Sequence, residues 1–458
     1  MASRDLTKGP IWRALAKVSA PMSFGILSVL SVGVIDAYFL GQLGGAPLAA
    51  IGFIFPVTAA FTSLAIGLSA GANAIVSQSL GKGDDPEVTA RYGLHACCLG
   101  LVLAVVVAVS VWAAFPLLFG AMGAGEAVLP EIGLYMPYWS LSFPLLVLMM
   151  VINSLFRAHG NGAISAAIMV LSAVVNIALN PILIFGWGPI PALETEGAAI
   201  ASAIGRGLAA VCALTLAIRW RYLDLSIAFW PDFRTSVGQL INIGAPAAFS
   251  NAINPAGMAL VTAAVATLGD AAVAGFGAAT RVQSVAMVAM LALSAGVGPV
   301  VGQNWGAGQE DRARAALRQC WIFSIGYGAV LALLLFAFAD VLATAIASDR
   351  QAATFTRQYL VVVGFSLFGY GILVTTNAAM NARSKAVHSM GLSLMRIFAV
   401  YLPFAWIGVW TFGYPGILIA TICANLFGVF GSLVAARAVG LFKTRLPLIA
   451  RPAGLLPG

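Results

Sequence analysis

The stretch Ala96-Cys-Cys-Leu-Gly-Leu-Val-Leu-Ala-Val-Val-Val-Ala-Val-Ser-Val-Trp-Ala-Ala-Phe-Pro-Leu-Leu-Phe119 contains no charged residue. It exceeds the roughly 20 apolar residues that carry an α-helix across a hydrocarbon core about 30 Å thick. Working outward in both directions, runs of this kind recur with short polar punctuation. They cover residues 15–40, 46–78, 91–120, 133–156, 162–187 and 196–219, then 237–267, 271–301, 319–347, 356–380, 386–411 and 414–436. The whole chain of 458 residues is 61% hydrophobic and 9% charged, with a mean hydropathy of +0.97. A soluble domain carries about 25% charged residues, so a water-facing surface cannot be built from this supply. The expected fold class is all-α, a polytopic membrane protein of twelve transmembrane helices with the lipid bilayer as its surroundings.

The net charge of +8 would suggest a nucleic-acid partner in a soluble protein. Here the basic residues collect in alternate loops, which is the orientation signal of a membrane protein, and no nucleic-acid partner is expected. With the N-terminus in the cytoplasm, nineteen of the 24 Lys and Arg residues fall on that side. Arg350 and Arg357 fall outside, and Arg206, Arg281 and Arg396 lie within apolar runs. Glu126, Glu131, Glu194, Glu196, Asp270 and Asp349 fall on the outer side. Both termini are expected in the cytoplasm and the chain in the cytoplasmic (inner) membrane. Arg4, Lys8, Arg13 and Lys17 lead into a first span too long for the apolar region of a signal peptide, and no small-residue cleavage site follows, so that helix is expected to stay. Cys97, Cys98, Cys212, Cys320 and Cys423 sit in apolar runs without metal or disulfide spacing, and packing is the better reading of them.

Sliding the chain against itself by 225 positions aligns Pro21 with Pro246, Phe24 with Phe249, and Leu43-Gly44 with Leu268-Gly269. In the same register, Leu68-Ser-Ala-Gly71 meets Leu293-Ser-Ala-Gly296, and Gln78, Gly81 and Gly83 meet Gln303, Gly306 and Gly308. The reading is two lobes of six helices, residues 1–225 and 226–458. An even number of spans per lobe gives both the same orientation, related by an axis along the membrane normal. Simple duplication in a channel or scaffold is the competing account.

The segment Asp36-Ala-Tyr-Phe-Leu-Gly-Gln-Leu-Gly followed by Leu48-Ala-Ala-Ile-Gly resembles the opening of multidrug and toxic compound extrusion (MATE) transporters. Val273-Ala-Gly-Phe-Gly, Arg281-Val-Gln and Gly302-Gln-Asn-Trp-Gly-Ala-Gly are similar to that family's eighth helix and the loop after it, and Asn176-Ile-Ala-Leu-Asn-Pro and Glu196-Gly-Ala-Ala-Ile-Ala-Ser to its helices five and six. The resemblance covers nearly the whole chain. It implies two six-helix lobes and export of drugs or other amphipathic organic compounds, driven by inward movement of H+ or Na+, without enzymatic activity or any further cofactor. A monomer acting on small-molecule substrates is expected.

Asp36 is the only acidic residue well inside an apolar run, and a carboxylate there is costly unless paired, hydrated or protonated. Solvation near the outer end of helix one is the bland explanation, since Gly41 follows closely. Against it, the repeat partner of Asp36 is Val261, so the shared fold needs no acid at this place. Asn180 and Ser202 lie at a similar depth, counted at 1.5 Å per residue from the turn between helices five and six. Asn176 is one turn from Asn180, and Pro181 frees a backbone carbonyl beside them. Interhelical Asn glue is the alternative. By resemblance, Asp36, Asn176, Asn180 and Ser202 fall at the N-lobe cation site of the DinF-like branch. Asn180 stands where relatives carry a second Asp, which favours H+ over Na+, no metal being expected. Asn251, Asn254, Tyr370 and Asn377 replace the acids of the NorM-like branch, so no acidic ion site is expected in the C-lobe. Pro21 is a candidate bending point of helix one, or simply a helix-start residue.

For the substrate cavity, Tyr138, Trp139, Met149, Met150 and Asn153 on helix four, with Phe143, are candidates for an adaptable wall, and Arg281 for a polar contact. Packing against lipid is the competing reading for the apolar ones. Arg281 and Arg396 lack an acidic partner in the C-lobe, so substrates need not be cationic. Rival functions are a lipid-linked precursor flippase of the same superfamily, a channel, or a membrane enzyme using His95, His159 or His388. The last is disfavoured because these histidines are scattered beside different loops.

Overall fold

The computed structural model describes residues 5–347 and 349–443. Arg4 of the basic leader and Arg445 and Arg451 of the C-terminal tail lie outside the described residues. In hydrocarbon every backbone N–H and C=O must be satisfied within its own segment, and the apolar runs accordingly fold as helices. In chain order these are α1 Ile11–Leu43, α2 Gly45–Lys82, α3 Pro86–Ala121, α4 Leu129–Ala158, α5 Gly162–Phe185, α6 Glu194–Arg219, α7 Phe233–Ala266, α8 Asp270–Ala286, α9 Val288–Gly306 and α10 Glu310–Ile346. The remainder are α11 Arg350–Val363, α12 Leu367–Ala382, α13 Ala386–Leu394, α14 Leu402–Phe412 and α15 Tyr414–Ala438. No β-strand occurs among the described residues.

Every expected span is helical, and most helices outrun the apolar stretch at their polar ends. α8 and α9 meet at Met287 with a bend of 47°, and counting this pair as one span gives twelve. A 3-10 turn at Gly364–Ser366 joins α11 to α12, and a π-helical segment at Met395–Tyr401 joins α13 to α14. The hairpins α1–α2 and α7–α8 turn at Gly44, φ 141°, and Gly269, φ 102°, where a side chain would be strained. These two glycines are partners in the 225-residue register. At the start of α3, Pro86 follows Asp85, whose carboxylate accepts the Glu87 N–H at 3.1 Å.

The N-terminal segment and the turns after α2, α4, α6, α9, α12 and α15 share one end of the bundle, called here the tail face. The other turns form the far face. Leu117, Leu141 and Trp410 point outward at 79%, 73% and 74% exposure, a surface suited to lipid and not to water. The chain is an integral membrane protein.

One apolar core runs through α2, α3, α4 and α6 and takes in Leu240 and Ile243 of α7, while a second joins α7 and α8 to α10–α12, α14 and α15. A third packs Ala14, Leu15 and Val18 of α1 against Val297, Val300 and Val301 of α9. Two of the three histidines hold the segment between α6 and α7. His95 bonds Ser236 at 2.5 Å and the Phe229 carbonyl at 2.7 Å, and His159 stacks on Tyr222 with ring centres 3.7 Å apart.

Candidate functional site

α1, α5 and α6 converge on Asp36. The Asn180 side-chain amide donates to Asp36 Oδ1 at 2.5 Å and to Asn176 Oδ1 at 3.4 Å, and Asn176 Nδ2 donates to Ser202 Oγ at 2.9 Å. Asn176, Asn180 and Ser202 are all buried. The close approach of α5 and α6 has a local cause at Gly205, where a Cβ would press on the Ser172 carbonyl and the Asn176 backbone. Pro181 donates no backbone hydrogen bond, which leaves the carbonyl one turn earlier without its helical partner next to the cluster. Asn180 Oδ1 itself has no partner among the described residues.

Two residues not foreseen from sequence complete the surroundings. Arg206, one turn past Ser202 on α6, donates to Ser142 Oγ at 2.9 Å and lies within electrostatic range of Asp36. Tyr135 on α4 neighbours Ser202, Asp36 and Arg206. In the sequence Arg206 stands out only as a charge inside an apolar run, although its spacing from Ser202 puts both on one helix face. Tyr135 carries no distinguishing signal among the aromatics of α4. No Lys or Arg lies at ion-pair distance from Asp36 among the described residues. The carboxyl is therefore held by neutral hydrogen bonds with a cation nearby, an arrangement able to bind and release a proton. Asp36, Asn176, Asn180 and Ser202 also present oxygens to a small cation, but with a single negative charge.

A second feature is a cavity of about 270 Å³ between the first and second halves of the chain. α2 contributes Ser69 and Asn73, α4 contributes Met150 and Arg157, and α7 contributes Ser250, Asn251 and Asn254. Tyr370, Asn377 and Asn381 of α12 and Ser389 of α13 close the other side. Asn251, Asn254, Tyr370 and Asn377, read in the sequence as replacements for acids, thus share one chamber with no Asp or Glu on its wall among the described residues. Next to it Arg396 of the π-helical segment donates to Asn254 Oδ1 at 3.4 Å and Asn425 Oδ1 at 3.2 Å and lies 5.2 Å from the centre of the Tyr370 ring.

Of the wall expected on helix four, Met150 lines this cavity. Trp139, 2% exposed, instead stacks on Phe143 at 4.9 Å between ring centres, and Met149 is buried in the same core. Asn153 is buried off the cavity. α4 packs against α2, α3 and α6, and Trp139 and Phe143 are turned into that core. Tyr138 sits near the far face and donates to Glu196 Oε1. Arg281 is exposed on α8, away from the cavity wall. α1 is a continuous helix through Pro21.

The MatE family model matches residues 21–182 and again residues 246–407, two copies whose starts and ends are 225 residues apart. The chain belongs to the MatE family. It is a membrane transporter of small molecules in a family of multidrug exporters, not an enzyme. Among relatives, the FAD transporter of Shewanella oneidensis is 36% identical over 424 residues, covering 92% of this chain and 93% of that protein. The multidrug export protein MepA of Staphylococcus aureus is 24% identical, with 96% of each chain covered. In three dimensions the crystal structure of the Vibrio cholerae MATE transporter VcmN in the bent form superposes with a TM-score of 0.87 at 29% identity, covering 93% of this chain and 96% of that one.

Proposed function

We propose that this MATE protein is a proton-coupled antiporter that exports amphipathic organic compounds by alternating access of two lobes, residues 1–225 and 226–458. The tail face is taken as cytoplasmic and the chain as acting alone in the cytoplasmic membrane, in accordance with its loop charges. The observation that carries the coupling reading is the hydrogen-bonded chain Asp36–Asn180–Asn176–Ser202, buried beyond Asp36. A carboxyl inside a membrane bundle is easier to keep neutral than charged, so a proton arriving from outside settles there and changes which hydrogen bonds the site makes. Release on the cytoplasmic side reverses the change. Pro21, on the same helix, is the proposed bending point.

The proton is favoured over Na+ because Asn180 adds an oxygen but no charge to the site. The test is Asp36→Asn, which keeps the size and hydrogen bonding of the protonated carboxyl. Cells expressing it are expected to accumulate a fluorescent substrate as empty-vector cells do, while the purified variant still binds that substrate. Undiminished efflux by a well-expressed variant would remove Asp36 from the mechanism. For the substrate a second reading is favoured by one finding: the Shewanella oneidensis relative is named for FAD, so flavin dinucleotides join the compounds to be tested. Transport of a lipid-linked precursor instead of either would point to a flippase.

A further inference from the structure

Two arginines bear on the central cavity and neither is neutralised. Arg157, at the tail end of α4, lines it and spends one N–H on Ser165 Oγ at 3.1 Å. A guanidinium has five N–H donors, so most of Arg157's capacity is left for something else. Arg396 is 6% exposed, and both its bonds go to neutral side-chain oxygens, leaving Nε without a partner. Neither arginine forms an ion pair among the described residues. A buried cation without a counter-charge is expensive, and inside a membrane such groups mark substrate or ion pathways. Arg396 also lies in the π-helical segment, a local distortion that occurs frequently at functional sites.

The rest of the wall completes the chemistry. Ser69, Asn381 and Ser389 are at most 8% exposed, face the cavity, and each has a side-chain oxygen without a hydrogen-bond partner. Asn377 Oδ1, also on the wall, has none either. Tyr370 offers an aromatic face beside Arg396. Positive potential, unpartnered amide and hydroxyl oxygens and an aromatic ring are what an organic phosphate joined to a hydrogen-bonding heterocycle requires.

We propose that the central cavity is an anion-recognising substrate site, in which Arg157 directly and Arg396 from behind Asn254 and Tyr370 select nucleotide-like compounds that carry phosphate. Arg157 is the contact residue and Arg396 a positioning residue that also raises the local potential. The proposal deepens the export reading and rests on it for the cavity being the substrate's, but it does not depend on how transport is coupled.

The experiment is equilibrium binding to the purified full chain in detergent without any ion gradient, using flavin adenine dinucleotide, riboflavin and ethidium as probes. Riboflavin has the same ring system without phosphate, and ethidium carries the opposite charge. The wild type is expected to prefer the dinucleotide over riboflavin by about tenfold or more, the scale of a charge-assisted contact. Arg157→Gln and Arg396→Gln should each erode that preference, measured as the ratio of dinucleotide to riboflavin affinity, and Arg396→Lys should restore part of it. Equal binding of dinucleotide and riboflavin by the wild type, tightest binding of ethidium, or a preference that survives Arg157→Gln would overturn the proposal. If Arg396→Gln does not fold, Arg157→Gln decides alone. Loss of coupling in Asp36→Asn leaves these binding results untouched, so the two readings fail separately.

Discussion

Asp36 keeps its place in the bundle through one strong donor, the Asn180 amide, and through a chain of neutral groups that ends at Ser202. The sequence made this cluster legible because Asn180 and Ser202 can be counted from the turn between α5 and α6, and Asp36, counted from the end of α1, comes out at a similar depth. It did not reveal Arg206 or Tyr135, since a single cation or phenol in an apolar run has no pattern of its own. Asn180→Asp adds a second carboxylate next to Asp36 and should make transport respond to Na+, which the wild type is expected to ignore. Substrate flux with Na+ replaced by K+ at constant pH measures this, and an Asn180→Asp variant as indifferent as its parent would contradict the assignment of the site. The aromatic residues of helix four show the opposite limit. Trp139 and Phe143 read as wall or, more readily, as lipid face, and the position of α2 beside them, with Phe61 near both rings, places them in the core instead.

At the scale of elements, hydropathy located every helix because a span needs little more than length and apolar character. It could not locate the bend at Met287, which carries no proline or glycine at the break, and Pro403 just after Met395–Tyr401 marks that break without telling a π-helical segment from an ordinary kink. The contact between α2 and α9 was also hidden, although its residues were in view as partners in the repeat. A Cβ at Gly81 would run into the Gln303 carbonyl, and one at Gly306 into the Gln78 carbonyl, so the two helices meet reciprocally at the tail face. Gly81→Ala and Gly306→Ala should each destabilise this closed crossing by about 1–3 kcal/mol, the usual cost of overpacking. The readout is a lower melting temperature of the purified protein together with faster labelling of a cysteine placed at Asn381. Unchanged melting and labelling in both variants would mean that the helices separate there without cost. A parallel case is His95→Ala, which leaves the Phe229 carbonyl without its partner and Ser236 with only the Phe233 carbonyl, and should lower stability by about 1–3 kcal/mol. Transport by the surviving folded fraction should be normal, since the histidine fastens a connector.

For the whole molecule, twelve spans put the two described ends of the chain on one face, which the proposal takes as cytoplasmic from its basic loops. A reporter fused after Gly458 should therefore read cytoplasmic and one inserted at Gly125 external; a C-terminal reporter on the outside would require an odd number of crossings. The central claim is that protons, and not Na+, drive export through Asp36. It is tested most directly in proteoliposomes loaded with substrate, in which a pH gradient and a Na+ gradient are imposed separately at zero membrane potential. Substrate flux against its own gradient is expected under the pH gradient alone, none under the Na+ gradient alone, and none under either for Asp36→Asn. Sodium-driven flux at equal pH on both sides, or pH-driven flux by Asp36→Asn, would contradict it.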